Sequence, residues 1–257
     1  MKMKLAFEVV GKGDPLVILH GLLGSADNWR SMSRRLGAHY QVFALDLRNH
    51  GRSPHSDILD YDVMVADVRE FMEQQTLRHI MLLGHSMGGK VAMQFAIDYS
   101  DQVDRLVIVD IAPKPYEPSQ RYLLKAMRAL DLTHYKSFAD VDAALAPEVS
   151  SESLRQFLLK TLTRDENGRL RWKIHLEAID QNYDKLLWEL SPERSFNKPT
   201  LFIRGGRSNY IEDDDTRLIR QMFPQAEIAT LPEAGHWVHV DAPEEFFQTV
   251  VGFLNRD

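Results

Sequence analysis

The stretch Ile80-Met81-Leu82-Leu83-Gly84-His85-Ser86-Met87-Gly88-Gly89-Lys90 constrains the fold more than any other part of the chain. Four consecutive apolar residues before Gly84 suit a buried strand, and after Ser86 the apolar positions Val91, Ala92, Phe95, Ala96 and Tyr99 recur at helical spacing. Strand and helix must meet in a very sharp turn, with a serine at the joint. Gly84 and Gly88 flank that serine where a side chain would collide with the neighbouring backbone, so G-x-S-x-G is a steric requirement of the turn. Such an elbow lifts the Ser86 hydroxyl out of the sheet edge as a candidate nucleophile. It also sets the Met87 N–H at a helix start, where developing negative charge is favoured, and so makes it a candidate oxyanion donor. A phosphate-binding loop would read G-x-x-x-x-G-K-[ST], whereas Lys90 is followed by Val91.

Around this joint the chain alternates in the manner of an α/β protein. Pro15–Leu19, Gln41–Leu45 and Asp104–Pro113 read as buried strands of the parallel kind, as do Lys198–Arg204 and Ala226–Leu231, with Lys4–Val10 as an opening strand. Helices are expected over 27–36, 61–75, 212–222 and 243–254. The glycine-bracketed turn His20-Gly21-Leu22-Leu23-Gly24-Ser25 follows a buried strand, and the Leu22 N–H is the expected second oxyanion donor. His20 is expected to be a buried ring satisfying loop carbonyls. In the polar turn 46–54, Asp46, Arg48 and His50 are expected to knit loops together, with His50 a candidate for the site entrance. Asp110 stands at the carboxyl end of its strand, the edge at which open α/β sheets bind ligands, and is well placed to orient a histidine.

Between 114 and 197 the strand rhythm stops. The segment reads as mostly helical, including 121–130, 151–161 and 172–190, with a turn at Asp165-Glu166-Asn167-Gly168. It holds two of the four tryptophans, Trp172 and Trp188. An insertion of this kind is expected to cap the strand ends and shape a pocket, giving a core of 1–113 and 198–257 with a cap at 114–197.

Composition narrows the function. A net charge of −6 without a Lys/Arg block argues against nucleic acid or an anionic membrane as the working partner. No stretch approaches the roughly twenty apolar residues of a membrane span. The first residues lack the apolar run of a secretory signal, so a cytoplasmic location is expected. With no cysteine, thiolate chemistry and Cys-bearing zinc sites are excluded. The oligomeric state is not legible.

The order Ser, Asp, His completes the pattern. Together H-G-L-L-G-S, D-L-R-N-H-G-R-S, G-H-S-M-G-G-K, V-D-I-A-P, R-G-G-R-S-N-Y and G-H-W-V-H resemble the α/β-hydrolase superfamily, and within it the small bacterial esterases of the YbfF type, over essentially the whole chain. The resemblance implies a mostly parallel doubly wound sheet with a helical cap inserted between two strands. It also implies a serine carboxylesterase for small to medium acyl esters that works through an acyl-enzyme and needs no cofactor or metal. Ser86 would attack, His236 would act as base and acid, and Asp110 would orient the imidazole. Most of the superfamily carries its acid in a later G-x-x-D turn, which reads Gly205-Gly206-Arg207-Ser208 here. Asp110 therefore inherits the role, with Ser208 as an auxiliary contact. Trp237, in the G-H-W pattern, is a candidate substrate contact, and His239 is expected to make a loop or cap contact. Thioester or carbon–carbon bond hydrolysis would use a similar site, and a catalytically silent ligand-binding member stays open as an alternative.

Overall fold

A computed structural model describes residues 3–191 and 193–256. The first two residues of the amino-terminal segment read above lie outside that range. In chain order the elements begin with β1 (Phe7–Val10), β2 (Pro15–Leu19), a 3-10 turn at Ala26–Trp29, α1 (Arg30–Leu36) and β3 (Gln41–Leu45). Then follow α2 (Tyr61–Gln74), β4 (Ile80–His85), α3 (Met87–Asp98) and β5 (Val103–Val109). The next stretch carries α4 (Arg121–Arg128), α5 (Phe138–Leu145), α6 (Glu152–Leu159), β6 (Leu162–Arg164), β7 (Leu170–Trp172) and α7 (Leu176–Gln181). The chain closes with β8 (Thr200–Gly205), α8 (Asp215–Met222), β9 (Ala226–Leu231), the short α9 (Val238–Asp241) and α10 (Pro243–Leu254).

Seven strands form one sheet in the order β1-β3-β2-β4-β5-β8-β9. Only β1 runs antiparallel to its neighbour; the other pairs are parallel. Side chains alternate across the sheet as the two-residue period requires. Val17, Leu82, Leu106 and Ile108 face one apolar layer with Phe71 of α2 and Phe95 of α3. Ile18, Leu83, Val107 and Val109 face the other with Trp29, Phe246 and Phe253. Burial on both faces explains why these strands read as continuous apolar runs.

The register decides where chemistry can sit. Leu19 pairs with Gly84, His85 with Val109 and Val109 with Ile203. The residues that follow β2, β4 and β5, namely His20, Ser86 and Asp110, therefore emerge side by side at the carboxyl edge.

The segment after β5 departs from the helical expectation. The reading of one helix over 172–190 is corrected: Trp172 ends β7, which pairs antiparallel with β6, and only Leu176–Gln181 is α-helical before a 3-10 turn at Tyr183–Leu187. The Asp165-Gly168 turn joins a hairpin, with Gly168 in the left-handed region. Asn182 ends α7 by donating from its side-chain amide to the carbonyls of Ala178 and Asp57, an alternative to continued helix that Asn readily takes.

Candidate active site

The elbow is built as the sequence demanded. Ser86 has φ 53° and ψ −120°, a conformation a β-carbon-bearing residue adopts only under constraint from its surroundings. A β-carbon on Gly84 would stand 2.2 Å from the Gly88 carbonyl oxygen, and one on Gly88 would stand 2.4 Å from that of His20, so neither position admits a larger residue. Gly89, outside the five-residue motif, is confined by a side chain, with a β-carbon there 2.5 Å from Ile111 Cγ2.

Ser86 Oγ lies 3.1 Å from His236 Nε2, and His236 Nδ1 lies 2.8 Å from Asp110 Oδ2. An ionised Asp110 only accepts, so Nδ1 carries the proton and Nε2 is the acceptor that faces the hydroxyl. Asp110 is fully buried and sits in the left-handed region at φ 51° directly after β5. Its Oδ1 accepts from the Gly205 N–H at 2.9 Å. Its Oδ2 also accepts from the Ser208 hydroxyl. Ser208 thus touches the acid rather than the histidine. Two carboxylates in the segment after β8 are occupied elsewhere: Asp213 pairs with Arg204, and Asp215 pairs with Lys114 while accepting from the Glu212 N–H at the start of α8.

His236 is held in place by its surroundings. A β-carbon on Gly205 would meet the Gly235 carbonyl at 2.3 Å, which is how the loop after β9 comes to lie against the end of β8. The Tyr210 ring stacks on His236 with centroids 3.9 Å apart. The His85 Nε2–H donates to the His236 carbonyl at 2.9 Å, and burial holds the His85 ring neutral, well below the usual histidine range.

The loop carrying Leu22 packs against Ser86, since a β-carbon on Gly21 would stand 3.2 Å from Ser86 Cβ. Two buried imidazoles brace this loop. His20 donates from Nδ1 to the Gly21 carbonyl and accepts the Leu47 N–H at Nε2. His50 donates from Nδ1 to the Arg48 carbonyl and accepts the Leu23 N–H at Nε2. Both rings need the neutral form for this, and burial lowers both, His50 to about 3. His50 is fully buried beneath the loop and knits it to the turn after β3; the alternative place at the site entrance is corrected. Asp46 accepts the Ala26 and Arg52 N–H groups, and Arg48 forms a two-pronged buried pair with Asp67.

Two lobes share Ser86 in their lining. The larger, of about 200 Å³, is lined by Leu154, Phe157, Trp237, His236 and His239 among others. The smaller, of about 50 Å³, is lined by Met87, Lys90 and the rings of Tyr61, Tyr116 and Tyr183. Leu22, Ser86 and Tyr210 border both. Trp237 meets Phe157 of α6 at 5.3 Å.

The surroundings of two residues go beyond what the sequence specified. His239 stacks on Trp29 at 4.0 Å, and neither ring nitrogen has a hydrogen-bond partner. Burial lowers it to about 3. Lys90 is 1% exposed, donates to the Trp188 carbonyl at 2.5 Å, and is lowered to about 7 by burial. The motif did place Lys90 one turn after Ser86, but a lysine gives no sign of burial in sequence. Among the described residues no group of three or more His, Asp or Glu side chains is arranged to hold a metal.

A nucleophile elbow on the central strand of this sheet defines the α/β-hydrolase class. The chain belongs to the alpha/beta hydrolase fold family, whose model matches residues 14–243. It is 38% identical over 263 residues to the sn-1-specific diacylglycerol lipase ABHD11 of Danio rerio, covering 98% of this chain and 83% of that protein. It is 31% identical over 243 residues to Esterase YbfF of Escherichia coli, covering 94% and 93%. A solved marine microorganism esterase superposes with a TM-score of 0.95 at 38% identity, covering 98% and 99%.

Proposed function

We propose that this protein is a serine carboxylesterase that cleaves small-molecule carboxylic esters through an acyl-enzyme. The observation that carries the reading is the hydrogen-bonded series Ser86–His236–Asp110, opening on a largely apolar cavity. The activities named for the relatives, ester and diacylglycerol cleavage, support the same class.

In this mechanism Ser86 Oγ attacks the ester carbonyl while His236 Nε2 takes its proton. The carbonyl oxygen becomes an oxyanion held by the Leu22 and Met87 N–H groups; loss of one such donor typically costs about 3 kcal/mol. His236 returns the proton to the departing alkoxide, and water then attacks the acyl-enzyme by the same proton route. Asp110 holds the imidazole tautomer and stabilises the imidazolium without being protonated itself. Residues 114–197 act as a cap that supplies the far walls of the cavity. A cytoplasmic location belongs to the same proposal.

Ser86→Ala tests it: hydrolysis of a p-nitrophenyl ester should disappear while the folded far-ultraviolet spectrum persists. Undiminished turnover would refute the assignment.

A further inference from the structure

The two lobes meeting at Ser86 are unequal, and the proton route says which part of an ester enters each. The tetrahedral carbon formed on Ser86 Oγ bears three other groups: the oxyanion, the leaving oxygen and the first acyl carbon. In the mechanism proposed above the oxyanion turns to the Leu22 and Met87 N–H groups, and the leaving oxygen must lie within reach of His236 Nε2, which protonates it. His236 borders the larger lobe and not the smaller, whereas Met87 borders the smaller and not the larger. The direction left for the acyl chain runs past Met87.

Resting on that mechanism, we infer that the smaller lobe is the acyl site and the larger lobe the alcohol site, so that the enzyme's substrates join a short acyl group to a bulky alcohol. The smaller lobe, at about 50 Å³, has about a quarter of the volume of the larger, at about 200 Å³. Acyl chains of about two to four carbons fit the first.

The rings that line the acyl lobe are tied down by their hydroxyls. Tyr61 donates its hydroxyl to the Leu186 carbonyl at 2.7 Å. The Tyr116 hydroxyl donates to the Tyr210 carbonyl and accepts the Ala112 N–H at 2.8 Å. Tyr183 accepts the Gln120 N–H at 3.1 Å. Lys90 Nζ is bound to the carbonyls of Trp188 and Leu187, with the Tyr116 ring 4.9 Å away. With its polar atoms tied to the backbone, this wall offers ring faces and alkyl stems to a substrate. Widening the lobe at these rings would mean breaking part-buried hydrogen bonds.

The test crosses acyl length with alcohol size. Acetate, butyrate and octanoate esters of 1-naphthol and of methanol are compared on the wild type, Leu187→Ala, Leu187→Phe and Phe157→Ala. Leu187 borders the smaller lobe and Phe157 the larger. The wild type should lose kcat/KM by about tenfold or more from butyrate to octanoate. Leu187→Ala should move that drop to longer chains and Leu187→Phe to shorter ones, both leaving the naphthyl-to-methyl ratio alone. Phe157→Ala should alter that ratio and spare the acyl profile. A wild type that prefers octanoate, or a Phe157 variant that resets acyl length while both Leu187 variants do not, overturns the assignment. Failure of the esterase reading is distinct: no ester in the matrix would be cleaved, or cleavage would survive in Ser86→Ala.

Discussion

Asp110 and His236 are 126 positions apart in the chain, yet Asp110 Oδ2 lies 2.8 Å from His236 Nδ1 at the end of β5. The carboxylate has no solvent contact. Gly205 and Ser208 supply it with two further donors, which keeps a buried charge satisfied. Asp110→Asn keeps the shape but can present an N–H to Nδ1, which forces the wrong imidazole tautomer. In a serine protease the matching change lowers kcat about 10⁴-fold, and a loss of about 10³-fold or more is expected here. Steady-state kinetics at fixed pH measure it, and a loss under tenfold would remove Asp110 from the mechanism.

Ser208 contributes one charge-assisted hydrogen bond to the acid, a kind of bond worth about 1.5–3 kcal/mol. Ser208→Ala should therefore lower kcat by roughly ten- to a hundredfold with KM little changed, because its hydroxyl meets Asp110 and not the substrate. Ser208→Thr, which retains the hydroxyl, should recover much of the rate. An equal loss in both variants would point to a steric role instead.

His239 is a neutral plate stacked on Trp29, with two buried ring nitrogens that lack partners. Its folded pKa of about 3 lies below the ordinary histidine value, so the unfolded chain binds the extra proton first as pH falls. Stability at this position is complete above about pH 7 and declines as pH drops from the unfolded value toward 3. His239→Phe keeps the stack and removes both orphan polar atoms. It should be at least as stable as wild type at pH 7.5 and gain about 2 kcal/mol more relative to it at pH 5. Chemical denaturation at both pH values checks this, and an unchanged difference would contradict it.

Lys90 works in the opposite pH range. Burial lowers it from 10.5 to about 7, so between these values the unfolded chain holds a proton that the fold has given up. The cost of the buried charge is full below pH 7 and is relieved as pH rises toward 10.5. Relative to Lys90→Met, the wild type should gain stability on the order of 2 kcal/mol from pH 6 to pH 9. A difference that stays flat over that interval would mean the ammonium is well compensated by the carbonyls of Trp188 and Leu187.

The sheet was legible because strands buried on both faces leave unbroken apolar runs, and Gly84-His85-Ser86-Met87-Gly88 named the elbow because sterics leave few alternatives. Asp110 could be read from its place at a strand end. The hairpin of Leu162–Arg164 and Leu170–Trp172 was hidden, since three-residue strands that carry Arg164 and Arg171 leave no period to detect. The stack of His239 on Trp29 was not legible because Trp29 comes from an element more than two hundred positions earlier. The burial of Lys90 depends on the carbonyls of residues 187 and 188, which the motif around Ser86 does not specify. Local rules reach as far as backbone geometry; the surroundings of a side chain are set by segments distant in sequence.

The most direct measurement of the central claim is covalent capture of the nucleophile with a fluorophosphonate, followed by peptide mass spectrometry. The account predicts stoichiometric labelling on Ser86, labelling at least a hundredfold slower in His236→Ala, and none in Ser86→Ala. A wild-type protein that hydrolyses esters while Ser86 stays unlabelled, or that takes the label on a different residue, would contradict it.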